Sequence, residues 1–339
     1  MDTIRYVGRR LVFVFFLMIG VSLLVFLIAN ALPSDPVVAN LSQRNLDNEE
    51  MVAAFRAKWG LDQPLHVQYL TYLGNLLKGD MGISIRTSRP VFDDLKQYYP
   101  ATVELALFGI IFAIIFGMLF GVISAIKRNT FVDQLLRGIS VLGVSVPGFW
   151  LALIMLFIFY LGLGIAPGPG RISPYLSAPV TVTGFFLIDS LLMGDWKLFW
   201  DALHHLILPG VCLGVFTMGL ITRTTRSSLL EVLSMDYTRT ARAKGLSEGA
   251  VITRHALGNA LIPVITVIGM GFGNLLGGMV FIETIFAWPG VGQYAFRSTQ
   301  YMDFPSIIGV SLLIAMNYVV INLIIDVLYG ALDPRVRYK

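Results

Sequence analysis

The sequence predicts an all-α, polytopic membrane protein with six transmembrane helices. Three observations carry that prediction. Of its 339 residues 56% are hydrophobic and only 14% charged, against roughly 25% charged in soluble domains. Six stretches free of Asp, Glu, Lys and Arg are long enough to cross a bilayer, which takes about 20 predominantly apolar residues. The basic residues crowd into alternate connections between those stretches, as the positive-inside rule requires.

In chain order the charge-free stretches are residues 11–34, 105–126, 138–170, 202–222, 255–282 and 304–325. A seventh apolar stretch, 172–188, contains Pro174, Pro179 and several Ser and Thr residues, and reads as loop or a re-entrant segment. Six crossings put both termini on one side. Segments 1–10, 127–137, 223–259 and 333–339 hold 15 Lys and Arg in 65 residues, whereas 33–100, 162–203 and 284–304 hold 10 in 131. The first set is therefore cytoplasmic, both termini included.

Arg9 and Arg10 before the first stretch, with Ala29, Asn30 and Ala31 at its end, also mimic a cleavable signal peptide. The run exceeds the ~7–15 residues of a secretory apolar region, which favours a retained anchor. Cleavage would leave five spans with the same orientation.

Residues 33–100 form an extracytoplasmic insertion with helical patterning. Asn48 is placed to cap a helix with Glu49 and Glu50 in its first turn, apolar residues follow at Met51, Val52, Phe55 and Trp59, and Gly60 stops it. A second helix starts near Pro64, carries the stripe Leu70, Leu73 and Leu77, and ends at Gly79.

Inside the membrane, Gly117 and Gly121, Gly210 and Gly214, and the row Gly269, Gly273 and Gly277 have the spacing that lets helix backbones approach closely in lipid. Static packing and a sliding subunit face both fit. Pro147 is expected to break the third span. Glu104, Glu283 and Asp326 lie at span ends, where structural pairing is expected, Asp326 with Arg335 being one candidate pair.

Residues 236–263, DYTRTARAKGLSEGAVITRHALGNALIP, form a polar, basic island between two apolar runs. Read as a helix, Tyr237, Ala241 and Gly245 share a small face with Thr240 and Lys244 beside it, while Arg239 and Arg242 project from another side. Gly245 is a stop signal, and Ser247 with Glu248 opens a second short helix. The island is either a loop that is basic because it is cytoplasmic, or a compact docking knob.

RTARAKG followed by HALGNALIP resembles the "EAA" coupling loop of ABC importer permeases, in the variant of the dipeptide and oligopeptide branch; E-A-A-x-x-x-G falls on Arg239, Thr240, Ala241 and Gly245. The glutamate position holds Arg239 and Pro263 lies further from the glycine than in sugar importers, and both departures look like the peptide branch. LPSDPVV, WGLDQPLHVQYLTYLGNLLKGDMGIS, ETIFAWPGVGQ and LDPRVRYK extend the resemblance over nearly the whole chain.

The resemblance implies an anchor and insertion over 1–97, a type-I ABC importer transmembrane domain over 98–329 with its coupling loop at 223–259, and a cytoplasmic tail at 330–339. It implies as partners a second, homologous permease, two cytoplasmic ATPase subunits and an extracytoplasmic substrate-binding protein in the cytoplasmic membrane. ATP and Mg would be bound by the ATPases, with no cofactor in this chain. Di- and oligopeptides are the expected cargo; glutathione, nickel complexes or oligosaccharides are alternatives, and a self-contained secondary carrier is a different class of reading. Arg239 and Arg242 would face the ATPase or anionic lipid.

Enzyme motifs are absent. No G-x-x-x-x-G-K-[ST], H-E-x-x-H or G-x-S-x-G occurs. His204 and His205 are adjacent, hence on different sides of a helix, so no metal site is expected there. Cys212 is the single cysteine and cannot form an intrachain disulfide. The net charge of +4 follows from the cytoplasmic connections and needs no nucleic acid.

Overall fold

The structure, a computed structural model, describes residues 2–31, 47–59 and 61–332. Among these there is no β-strand, only one isolated antiparallel bridge between Ile83 and Pro90. The first helices are α1 (Asp2–Ala31), α2 (Glu49–Trp59) and α3 (Leu65–Leu77). Asn48 Oδ1 accepts from the Glu50 and Met51 amides at 3.1 and 3.2 Å, capping α2 as its sequence predicts. The stop at Gly60 lies outside the described residues. Past α3, Gly79 turns the chain with φ +79°.

The long helix α4 (Val91–Ile126) follows, then α5 (Phe131–Ser145), capped by Thr130. Pro147 has no N–H to continue α5, and the chain restarts as α6 (Gly148–Met155), which loosens into a π-helix over Leu156–Gly162. The two arms meet at 110°, so the third span is broken at Pro147 as its sequence predicts. Beyond an irregular stretch come α7 (Phe186–Leu192) and α8 (Trp196–Leu233). Part of the connection at 223–259 is helical: α8 continues unbroken to Leu233, because residues 223–233 contain neither Gly nor Pro. Then come α9 (Asp236–Ala243), α10 (Glu248–Ala250), a π-helical turn Val251–Ala256, α11 (Leu257–Ile285), α12 (Val291–Gln300) and α13 (Phe304–Leu332).

Among the described residues four helices are long and apolar enough to cross a membrane, and the bent pair makes a fifth if counted as one span. Val12–Leu27 in α1 is a shorter apolar piece. These segments fall on the six predicted stretches.

The chain divides into two compact units. One is Met1–Thr102 with Pro289–Val320. Its core is Val91, Leu95, Val291, Tyr294 and Val310, with Tyr98 stacked on Tyr294 at 5.0 Å. The Tyr294 hydroxyl lies 2.6 Å from Ser306 Oγ and donates to Asp94, while Asp303 accepts from Ser84. Burial pushes the Tyr294 phenol up to about 12.

The other unit is Val103–Trp288 with Ile321–Lys339. It is built round α8, whose glycines and those of its neighbours permit backbone contact. A Cβ on Gly121 would lie 2.5 Å from Thr225, one on Gly214 2.5 Å from Gly109 O, and one on Gly219 2.6 Å from Ser140 O. Gly269 closes similarly on Ile325 of α13; Gly273 is buried in α11, and the surroundings of Gly277 lie outside the described residues. The stretch between α6 and α7 is held by buried Arg171, which donates to Glu104 at 2.5 and 3.1 Å and to Gly184 O at 2.8 Å. The pairing expected of Glu104 is thus present; Glu283 is fully buried, and the Asp326–Arg335 pair lies outside the described residues. Burial raises the Asp189 carboxyl pKa, but bonds from Thr183, Gly184 and Val182 outweigh that and hold it below the ordinary carboxylate value.

Candidate functional site

The basic island folds as a short helix hung between α8 and α11. At the end of α8 the chain turns through Ser234 and Met235, whose amides bond Glu231 O and Val232 O at 3.0 and 3.1 Å. Thr238 then points back into the turn. Its hydroxyl is 2.6 Å from Met235 O, 3.0 Å from Leu233 O and 3.3 Å from Val232 O, and the residue is fully buried. Ala241, one turn on, is buried on the same side.

The far end of α9 closes in a Schellman motif. Gly245 N donates to Arg242 O at 2.9 Å and Leu246 N to Ala241 O at 3.4 Å, with Gly245 at φ +80°. Ser247 caps the next turn, its hydroxyl accepting from Ala250 N at 3.4 Å. Arg242 spans the junction, with Nε 2.6 Å from Glu248 Oε1, Nη2 3.3 Å from Oε2, and Nη1 3.3 Å from Leu233 O. Asn259 Nδ2 donates to the Tyr237 hydroxyl at 2.8 Å, tying α9 to the start of α11. Beneath lies an apolar cluster of Ala125, Leu229, Val232, Ala256 and Ala260.

This geometry corrects part of the expected face. Tyr237, Ala241 and Gly245 do not form one exposed docking row. Ala241 faces its own chain, and Gly245 lies beyond the helix end, because the Thr238–Ala241 side is the one that packs inward. Arg242 pairs with Glu248 and Leu233 O and is 36% exposed, whereas Arg239 is 69% exposed and 3.6 Å from Asp236. The exposed residues of this stretch are Asp236, Tyr237, Arg239, Thr240, Ala243, Lys244 and Gly245.

A brace behind the knob escaped the sequence reading. Asp133 of α5 is buried and accepts from Arg226 of α8 at 2.8 and 2.9 Å, from Ser124 Oγ at 2.5 Å and from Asn129 N at 2.9 Å. The Arg226 bond, helped by Ser124 and Asn129 and opposed by burial, holds this carboxyl far below the usual carboxylate range. The only local signal was Thr130 three residues before Asp133, a helix start; Arg226 lies 93 positions away. Thr238, Glu248 and Asn259 were likewise missed as fasteners. No group of three or more His, Cys, Asp or Glu able to hold a metal occurs among the described residues. His204 Nε2 lies 3.0 Å from Ile165 O and His205 Nδ1 2.8 Å from Asp201 O.

Residues 117–338 match the family described as "Binding-protein-dependent transport system inner membrane component", and residues 3–106 match its N-terminal companion, "Binding-prot-dependent transport system membrane comp, N-term". The chain is 44% identical over 317 residues to the probable D,D-dipeptide transport system permease protein DdpB of Escherichia coli K12, covering 94% of this chain and 93% of that protein. It is 43% identical to the dipeptide transport system permease protein DppB of Alkalihalophilus pseudofirmus, covering 99% of this chain and all of the relative. It is 38% identical to the glutathione transport system permease protein GsiC of Salmonella paratyphi A over 99% of this chain and all of that protein. Among solved structures, a chain of the MetNI methionine ABC transporter in an inward-facing crystal form superposes with a TM-score of 0.51 at 17% identity, covering 69% of this chain and 93% of that one. That likeness concerns the fold.

Proposed function

Because the chain belongs to the family of inner membrane components of binding-protein-dependent transport systems, we propose that it is the permease subunit of an ATP-driven ABC importer for di- and oligopeptides. The names of its relatives support peptide cargo, and the glutathione permease, itself named for a peptide-like solute, keeps that alternative in view. Both termini are cytoplasmic. The domain limits are 1–97 for the anchor and insertion and 98–329 for the type-I transmembrane domain, with the tail at 330–339. The chain pairs with a second, homologous permease, docks on two cytoplasmic ATPase subunits that bind ATP and Mg, and receives solute from an extracytoplasmic binding protein.

The observation that supports this reading best is the knob of residues 236–248. It is fastened to α8 by Thr238 and Arg242, to α10 by Glu248 and to α11 by Asn259. A force applied to its outward face at Arg239, Thr240 and Lys244 therefore reaches two spans at once, and force passes between sites only through elements that keep their shape. Tyr237, Ala241, Arg242 and Gly245 serve as frame and Arg239 and Thr240 as contact. The glycines Gly269, Gly273 and Gly277 serve helix packing.

Purification of the tagged chain in mild detergent tests the assembly. ATPase subunits and a second permease are expected to accompany the wild type. The ATPases should be lost from Gly245→Glu while membrane insertion persists. A stable homo-oligomer without ATPase activity would instead overturn this reading and make a self-contained carrier the leading one.

A further inference from the structure

The outer end of α8 carries two tryptophans with no role in the coupling scheme. Trp196 and Trp200 lie one helical turn apart, each 62% exposed, on the side opposite the buried Leu198 and Ala202. Neither indole N–H has a hydrogen-bond partner among the described residues. The turn before them adds Leu192 at 64%, Met193 at 49% and Leu191 at 45% exposure. The patch is thus apolar with two unspent N–H donors.

Three charges lie beside it, and Asp195, though exposed, accepts from Leu198 N at 2.9 Å as the cap of α8. Asp201 accepts from Ser173 N and Oγ at 2.7 and 2.6 Å and is consumed on the inner side of the helix. The Lys197 ammonium lies 5.9 Å from the Tyr175 ring. Register sets the depth. The charge-free part of α8 begins at Ala202. At ~1.5 Å per residue Trp200 lies about 3 Å beyond it, inside the ~5–7 Å polar layer that flanks each side of a ~30 Å hydrocarbon core, and Trp196 about 9 Å beyond it, just past that layer's outer edge. Below them on the same stripe Ile207 is 42% exposed, so the patch is continuous with an exposed apolar position inside the charge-free part of α8.

We propose that Trp196 and Trp200, with Leu191, Leu192 and Met193, seat this chain in the headgroup interface of the outer leaflet. The Trp200 indole meets the acyl boundary and donates its N–H to ester oxygens, and Trp196, one turn further out, donates to the outermost headgroup oxygens. The proposal rests on α8 crossing the membrane.

Spin labels on single cysteines test it, because Cys212, the chain's one native cysteine, is buried. Trp196→Cys, Trp200→Cys, Tyr175→Cys and Ile207→Cys would be labelled in the complete importer, in bilayers of phosphatidylethanolamine and phosphatidylglycerol. Collision with oxygen relative to a water-soluble nickel chelate is then read at each site. The ratio should rise several-fold along the series Tyr175, Trp196, Trp200, Ile207. Tyr175-like values at both tryptophan positions would overturn the proposal by showing an aqueous surface. Labels immobilised and shielded from both reagents would overturn it in favour of a protein partner. A water-like signal at Ile207 as well would remove the membrane crossing itself, and so separates failure of the premise from failure of the anchor.

Discussion

Thr238 and Gly245 fix the two ends of α9, and only one of them is readable from sequence. A glycine before Ser-Glu is a helix stop by its own chemistry. Thr238 is one of several Thr residues until α8 is folded behind it and three carbonyls converge on its hydroxyl. The same holds for Arg242. Its partner Glu248 is six residues on, across a turn whose geometry had to exist first, and an exposed pair of this kind contributes only about 0–1 kcal/mol. Gly245 gives the sharper prediction. A Cβ there meets nothing within 4 Å, so within this chain the cost of a side chain is conformational, set by φ +80°. Gly245→Ala should destabilise the loop by about 1–2 kcal/mol, and Gly245→Asn by less, since Asn visits that region routinely. If Gly245 acts as a helix cap, coupled ATP hydrolysis in the purified importer should follow the order Gly, Asn, Ala. If Asn and Ala are equally damaging, it is the space at Gly245 that the ATPase reads.

At the scale of elements, hydropathy was enough to find the long apolar helices among the described residues, because length and an absence of charge need no particular partner to be read. It was not enough to say where helices continue. The charged residues Arg223 and Arg226 ended the predicted span at 222, yet α8 runs on to Leu233, with Arg226 neutralised by Asp133 of α5. That pairing is set by tertiary packing and leaves no periodic trace. The small-residue pairs were legible as close-approach sites, and the structure supplies what each approaches. Gly121 packs on Thr225 and its Cβ position is filled, whereas Gly258 at the start of α11 has open space. Gly121→Val should cost about 1–3 kcal/mol by overpacking, while Gly258→Ala should be neutral or stabilising by up to ~1 kcal/mol through helix propensity. Unfolding of the two variants by titration with SDS from mixed micelles measures the difference, and equal midpoints would contradict the α4–α8 contact.

For the whole molecule, the break at Pro147 decides the topology. Arms meeting at 110° fit either a bent crossing or a re-entrant hairpin that returns to the side it left. The charge distribution separates them. Residues 127–137 and 223–259 carry three and six Lys and Arg respectively, and a bent crossing places both on the same side of the membrane, with α8 returning the chain. A re-entrant hairpin would set these two basic connections on opposite sides and put residues 163–195 with 127–137. We therefore expect residues 163–195 to be extracytoplasmic. Tyr175, 77% exposed in that stretch, is the place to measure it. Tyr175→Cys in intact cells should react with a membrane-impermeant maleimide without permeabilisation, against the silent background of buried Cys212. Reaction only after permeabilisation would make the pair a hairpin, reduce the crossings to five and send the two termini to opposite sides. The knob of residues 236–248 would then face away from any cytoplasmic ATPase, so the same labelling experiment bears on coupling as well as on topology.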